Sequence, residues 1–232
     1  MIASNLFRCP KHKTVVECAN KTSEFKNKVI QELKKSMSRI GEENIYNVVY
    51  QSETNQTRSA PVVSKPEFNF LESPLFKNVS LAAWDPGRFN ETLEEWQKKP
   101  DFDLFANYQK FMEKSPNADF HLIDPRSLWS LWKVLQDFSK ISIPRNPPSS
   151  GFIGIAMMLP ACSYLDVVEY IPSTRLNGKC HYYSDEMNAR CTFGAWHPLA
   201  AEKLYAIGMN SADDFTVYQS GIVRIRVNRK LC

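Results

Sequence analysis

"NPPSSGFIGIAMMLPACSYLDVVEYIP", residues 146–172, decides the fold class. Pro147 and Pro148 cannot continue a helix from upstream, because proline lacks the N–H and its ring clashes with the preceding turn. Ser149 or Ser150 then offers a side-chain oxygen to cap a new helix. "GFIGIAMMLPAC" is apolar all round, the pattern of a buried helix. "YLDVVEYIP" reads as a strand, rich in the β-branched and aromatic residues that strands favour. A helix feeding a strand is an α/β unit, in which ligands gather at the crevice by the strand ends. Gly151 and Gly154 leave the backbone bare near the helix start. Its unpaired N–H groups and positive dipole end suit a phosphate, although a plain cap is the favoured reading of these residues alone.

The alternation continues on both sides. "NVSLAAWDP" (78–86) and "DFHLID" (119–124) read as strands. "TLEEWQKK", "DLFANYQKFMEKSP" and "PRSLWSLWKVLQDFS" read as helices, the last with Pro125 near its start and Leu128, Trp129, Leu131, Trp132 and Leu135 toward a core. "PLAAEKLYAIGM" is a final helix. Strands alternating with helices give an α/β class with a largely parallel sheet covered on both faces.

Residues 1–66 differ in texture. They are polar and poor in aromatics, and are expected to form a partly disordered, stem-like linker region. Within it, Phe25, Val29, Ile30, Leu33, Met37 and Ile40 recur at helical spacing and predict an amphipathic helix, stopped by Gly41. "IYNVVYQS" predicts a short strand and "ETNQTRSAP" a polar linker. Residues 67–232 are expected to be globular.

The 232 residues are 43% hydrophobic and 23% charged, an ordinary globular balance. The net charge of +4 is mild, with no basic stripe carrying interleaved aromatics, so nucleic acid is not the expected partner. No run reaches about 18 apolar residues, so no transmembrane segment is expected in this sequence. Four N-x-Ser/Thr sequons, at Asn20, Asn55, Asn78 and Asn90, with six cysteines, lean toward the secretory pathway. The first residues lack a signal-peptide pattern, so the targeting segment of a luminal chain is expected to lie outside this sequence.

Cys180, His181, Cys191 and His197 invite comparison with a zinc set. Their spacing fits no common zinc pattern and no C-x-x-C occurs. A Cys180–Cys191 disulfide closing a small loop is the favoured alternative. In "WHPLAAEK", His197 precedes Pro198, which is favoured in a first helical turn; His197 is therefore expected to be the N-cap. The positive helix end disfavours a second positive charge, so the imidazole would stay neutral and able to accept a proton. Lys203 could balance an anion nearby. A purely structural capping His fits equally well.

Residues 79–232 resemble the C-terminal part of the animal β-galactoside α-2,6-sialyltransferase family. "NPPSSGFIGIAMMLPACSYLDVVEYIP" is similar to the family's small sialylmotif, "HYYS" (181–184) to its third motif and "HPLAAEK" (197–203), with His197 and Glu202, to its very small motif. "WDPGRFNETLEEWQKKPDFDLFANYQKF" resembles a segment peculiar to the 2,6 branch. The resemblance implies a sialyltransferase-like, GT-A-variant, Rossmann-like fold. It further implies Golgi type II enzymes that move sialic acid from CMP-sialic acid to a terminal galactose of glycoprotein glycans, with inversion and with neither cofactor nor metal. His197 falls on the general base. Ser150, Gly151, Thr192 and Lys203 match positions near the nucleotide and phosphate. Tyr183, His181 and Trp196 match positions around the same cleft, although His181, Ser184 and Trp196 depart from the branch's residues. Trp84, Asp101 and Phe102 match positions near the donor or acceptor sugars, Trp84 on the donor side.

One departure is large. The family's large sialylmotif, a Gly/Ser/Asn-rich strand-turn-helix that holds much of CMP, should lie upstream of "WDP". Here "YQSETNQT" passes straight into "RSAPVVSKPEFNF". The fold is therefore expected to be incomplete, with an edge or apolar face uncovered. Cys162 and Cys232 would lose their family partners, with Cys9 or Cys18 as possible substitutes. The sequence leaves three classes of function open: a sialyltransferase; a catalytically inactive, truncated secretory-pathway relative; and a cytosolic metal-binding protein using the Cys/His set.

Overall fold

The structure, a computed structural model, describes residues 15–39, 79–175 and 197–227. They fall into two compact units. One holds the described residues between 79 and 130; the other holds 15–39, 131–175 and 197–227.

In the first unit, β1 (Leu81–Ala83) pairs in parallel with β2 (Phe120–Leu122), Leu81 opposite Phe120. A parallel pair needs a crossover, and the chain supplies α2 (Leu93–Lys98) and α3 (Leu104–Lys114) between the strands. The sequence "TLEE" starts α2 with a capping box. Thr92 Oγ1 accepts from the Glu95 N–H at 3.2 Å, and Glu95 Oε2 accepts from the Thr92 N–H at 2.9 Å. Phe111 of α3 packs edge-on against Phe120 of β2 with ring centres 5.0 Å apart, and Leu81, Tyr108, Met112 and Leu122 close around them. The helix α4 (Pro125–Phe138) begins at its proline; the boundary between the units falls inside it. Trp129 is buried, edge-on to Phe89, and donates Nε1–H to the Pro86 carbonyl at 2.9 Å.

In the second unit, α5 (Ser150–Met158) leads into β3 (Tyr164–Val168), which pairs antiparallel with β4 (Ile222–Arg226). Between them in sequence come α6 (Leu199–Met209) and α7 (Asp214–Tyr218). The N-terminal helix α1 (Val15–Arg39) lies against α6 and α7. Phe25, Val29, Leu33 and Met37, four residues apart, form its buried stripe, as their spacing predicts. Each such side chain contributes roughly 1.5–3 kcal/mol of apolar burial before the entropy of ordering is charged against it. Phe25 meets Tyr218 edge-on, and Lys26 Nζ lies 2.9 Å from Asp214 in the first turn of α7. The helix expected from residues 1–66 is thus built into this unit.

Three expectations differ from the structure. The segments "VSLAAW", "DFHLID" and "YLDVVEY" were expected in one largely parallel sheet. Among the described residues, the first two form the parallel pair, and the third pairs antiparallel with β4. The reason is β4 itself, "IVRIR", whose buried Val223 and Ile225 alternate with arginines and whose charge hid the pattern. Second, α5 is not buried all round: Phe152, Ile153 and Ile155 are inside, while Met157 and Met158 are about half exposed at 51% and 47%. Third, His197 is not the N-cap of α6. That position is Pro198, without a side-chain cap bond, and the helix starts at Leu199. The strand at "IYNVVYQS", the linker "ETNQTRSAP", the "HYYS" motif, Asn55, Asn78, His181, Tyr183, Thr192, Trp196 and the Cys180–Cys191 pair lie outside the described residues. No helix among the described residues is long and apolar enough to cross a membrane.

Candidate active site

The site is built where α5 begins. Ser149 is its N-cap, and Ser149 Oγ accepts from the Phe152 N–H at 3.2 Å. Ser150 and Gly151, in the first turn, are exposed. A Cβ on Gly151 would come within 3.2 Å of the Tyr170 ring, so glycine permits that close approach. The loop before α5 is tied to the second half of α4. Trp132 Nε1 donates to the Pro144 carbonyl at 2.7 Å, and the Gln136 side chain bonds the backbone at both Ile141 and Ile143.

The first turn of α6 meets this loop. Instead of capping its own helix, the His197 ring turns to the loop: Nδ1 lies 2.7 Å from the Pro147 carbonyl oxygen. A carbonyl only accepts, so Nδ1 carries the hydrogen. In the neutral ring the basic lone pair is then on Nε2, the tautomer a general base requires. His197 is half-buried.

One turn on, Glu202 is completely buried. It accepts three hydrogen bonds: from the Ser149 N–H to Oε1 at 2.7 Å, and to Oε2 from Ser149 Oγ at 2.6 Å and from the Tyr170 hydroxyl at 2.8 Å. The flanking Ala200, Ala201 and Ala206 are also buried, and their small side chains let α6 approach closely. Lys203 Nζ donates to the Tyr170 carbonyl at 2.6 Å and lies over that ring. Burial pulls the Lys203 ammonium down to about 8, against a partial opposing pull from Glu202. Burial, then the Glu202 charge, push the Tyr170 phenol up. Tyr170 follows Glu169, which has a left-handed φ of +55° and turns the chain out of β3.

In the other unit, Asp85 is completely buried. Its Oδ1 accepts from the Gly87 N–H and its Oδ2 from the Phe102 N–H, both at 2.9 Å. This carboxylate fixes the backbone at Asp101–Phe102, beside the half-buried Trp84. Asp101 itself is exposed and Phe102 half-buried.

Over 165 residues, 71% of its length, the chain is 39% identical to the β-galactoside α-2,6-sialyltransferase 2 of Bos taurus. It is 42% identical to that of Gallus gallus and 40% to that of Homo sapiens, over the same length. This chain is a relative of the β-galactoside α-2,6-sialyltransferases. It spans about one third of the length of these relatives, 31–33%. No protein-family profile matches it.

For a sialyltransferase relative, the residues singled out by sequence divide between the two units. Ser150, Gly151, His197 and Lys203 come from one, where the start of α5 and the start of α6 are bonded together. Trp84, Asp101 and Phe102 come from the other. Lys203, expected near the phosphate, donates from Nζ to the Tyr170 carbonyl. Sequence reasoning missed the roles of Pro147, Tyr170 and Asp85 as bonding partners, and gave Glu202 no contact. An acidic residue set among buried alanines was the available signal for Glu202. Among the described residues no group of three or more His, Cys, Asp or Glu could hold a metal ion. Of the possible metal set, three members lie outside those residues. Cys18 is disulfide-bonded, while Cys162 is a free, half-buried thiol. Asn20 is exposed on α1, and Asn90 is exposed with a left-handed φ of +64° ahead of the α2 cap.

Proposed function

We propose that this chain is a sialyltransferase that moves sialic acid from CMP-sialic acid to the terminal galactose of glycoprotein glycans, with His197 as general base. The galactose hydroxyl oxygen attacks the anomeric carbon and forms the new C–O bond. The bond from that carbon to the phosphate oxygen of CMP breaks, and its electron pair leaves with CMP. The hydroxyl proton passes to His197 Nε2. Attack opposite the leaving group inverts the anomeric centre. The observation that carries this reading is the His197–Pro147 bond, which puts the proton on Nδ1 and the lone pair on Nε2.

Ser150 and Gly151, exposed in the first turn of α5, suit the leaving phosphate. Thr192, Tyr183, His181, Trp196 and Trp84 are assigned to the donor by the family resemblance alone. Asp101 and Phe102 take the acceptor side, on a backbone held by Asp85. Lys203 is placed on the donor side, near the phosphate. No metal or cofactor is required. Residues 67–232 form a partial catalytic domain of the Rossmann-like, GT-A-variant type, working in the Golgi lumen; a disulfide at Cys18 fits an oxidising compartment.

The test is to express residues 1–232 in a secretory host and incubate the purified protein with labelled CMP-sialic acid and a galactose-terminated glycoprotein. Slow, sialidase-sensitive labelling of the acceptor is the expected result. No product at any donor concentration overturns the reading in favour of a second one: a catalytically inactive relative that lacks the donor-binding large motif. Two observations favour that alternative. Among the described residues β3 pairs with β4 alone, and Met157, Met158, Tyr164 and Val168 around it are 47–61% exposed.

A further inference from the structure

We infer that β3 is an interface strand, whose open edge pairs with β3 of a second copy of this chain across a two-fold axis. The ladder with β4 fixes which backbone groups are free. The Ser163 carbonyl accepts from the Val227 N–H at 3.0 Å, and the Glu169 N–H donates to the Gly221 carbonyl at 2.6 Å. Between these contacts Leu165 stands opposite Ile225 and Val167 opposite Val223. In an antiparallel pair, residues that bond across the ladder alternate with residues that do not. Leu165 and Val167 therefore bond to β4, while Tyr164, Asp166 and Val168 turn their N–H and C=O groups away from it. Among the described residues none of those outward groups finds a hydrogen-bond partner.

Natural edge strands are blunted by lysine, proline, a bulge or an unpaired charge. Residues 164–168 hold no lysine or proline, and their register with β4 is unbroken. The charge they do carry, on Asp166, is neutralised by Arg224 through two nitrogens, each at 2.6 Å. Tyr164 and Val168 are apolar and more than half exposed. The strand also fits itself. Antiparallel pairing of two copies centred on Asp166 sets Tyr164 opposite Val168 of the second copy at both ends, an aromatic against a β-branched side chain, and every outward N–H meets an outward C=O. At the axis Asp166 faces Asp166 of the second copy. Like charges there would repel, but each arrives already paired with its own arginine. The assembly closes at two copies. The middle of the other edge of the ribbon is occupied: the Ser211 N–H donates to the Arg224 carbonyl at 2.7 Å, and the Arg224 N–H donates to Asn210 Oδ1 at 3.1 Å. With one edge blocked and one open, pairing uses up the free edge of both copies and no fibre grows. This association goes beyond the proposed transfer and does not depend on it.

Sedimentation equilibrium of the full 232-residue chain at micromolar concentrations should give twice the chain mass. Tyr164→Lys combined with Val168→Lys puts charge on the edge at exposed positions, where the fold does not depend on the side chain, and should return the single-chain mass at the same concentrations. Phe215→Lys replaces a similarly exposed apolar residue on α7 and should leave the dimer intact. Disulfide cross-linking reads the register, in a Cys162→Ser background that removes the free thiol before β3. Asp166→Cys should link to itself, because directly opposed bonded residues have Cα atoms about 5.5 Å apart, within disulfide reach. Tyr164→Cys and Val168→Cys chains should link when mixed and not alone; this arm keeps the Asp166–Arg224 pair and serves if Asp166→Cys does not fold. A single-chain mass for the wild type overturns the inference and leaves the edge to a strand of another protein. A dimer that survives the edge lysines, a dimer lost in Phe215→Lys, or no linkage between the mixed cysteine chains overturns it equally.

Discussion

Lys203 Nζ donates to the carbonyl of Tyr170 at 2.6 Å and sits 4.7 Å from the centre of that residue's ring. A buried ammonium with one carbonyl and one ring face is poorly solvated, and this is why burial pulls its pKa from 10.5 to about 8. Between those values the unfolded chain binds a proton that the folded chain has released. The unfolding free energy should therefore rise with pH from about 8 to 10.5, by at most about 3 kcal/mol. Above that window the sign reverses, because Tyr170 is pushed up and Tyr218 is pushed up to about 12, so the folded chain keeps protons that the unfolded chain loses. Denaturant unfolding at a series of pH values should show the rise in the wild-type chain and not in Lys203→Met. A parallel rise in the variant would show that other groups cause it.

Asp85 supports the backbone at Phe102 across 17 residues of sequence. Asp85→Ala leaves two backbone N–H groups without their acceptor and should cost roughly 2–4 kcal/mol. Asp85→Asn retains one oxygen but turns an amide N–H₂ toward the other donor, and should cost roughly 1–3 kcal/mol. Hydrogen exchange should locate the effect: the Gly87 and Phe102 amides lose protection. Wild-type protection at both in Asp85→Ala would show that the carboxylate does not hold them.

The cysteines differ in state. Cys162, a free thiol just before β3, should react with an alkylating agent in the native or mildly denatured chain. Cys18, already bonded, should be labelled only after reduction. Mass spectrometry of peptides labelled before and after reduction distinguishes the two, and labelling of Cys18 without reduction would contradict the bond.

What was legible in the sequence was local. The stripe of α1 comes from spacing alone, since residues four apart share a helix face whatever covers them. A serine cap at 149 or 150, which the structure assigns to Ser149, and Pro125 as helix start come from the chemistry of single residues. The family likeness located His197 and the order of motifs. What was hidden depends on partners distant in sequence. The ring of His197 was assigned to its own helix end, yet its acceptor is a carbonyl fifty residues upstream. A one-residue difference in where α6 starts put Pro198 at the cap and left His197 to look elsewhere. The strand β4 escaped because Arg224 and Arg226 look like solvated charge. Arg224 is in fact directly opposite Asp166 across the antiparallel pair and bonds it through two nitrogens, each at 2.6 Å. Glu202 was singled out only as part of a motif, with no contact assigned; the meeting of α5, α6 and the end of β3 makes it a buried acceptor.

The most direct test of the central claim is the turnover of His197→Ala against the wild-type chain, measured with saturating acceptor and labelled CMP-sialic acid. Both proteins are first matched for thermal unfolding, so that a loss of rate is not a loss of folded enzyme. Losing a positioned general base lowers turnover by about 100-fold or more. We expect a fall of that size in kcat, with the KM for CMP-sialic acid nearly unchanged, because the base acts on the acceptor hydroxyl. Equal turnover in the two proteins would contradict the assignment of His197 and the mechanism built on it.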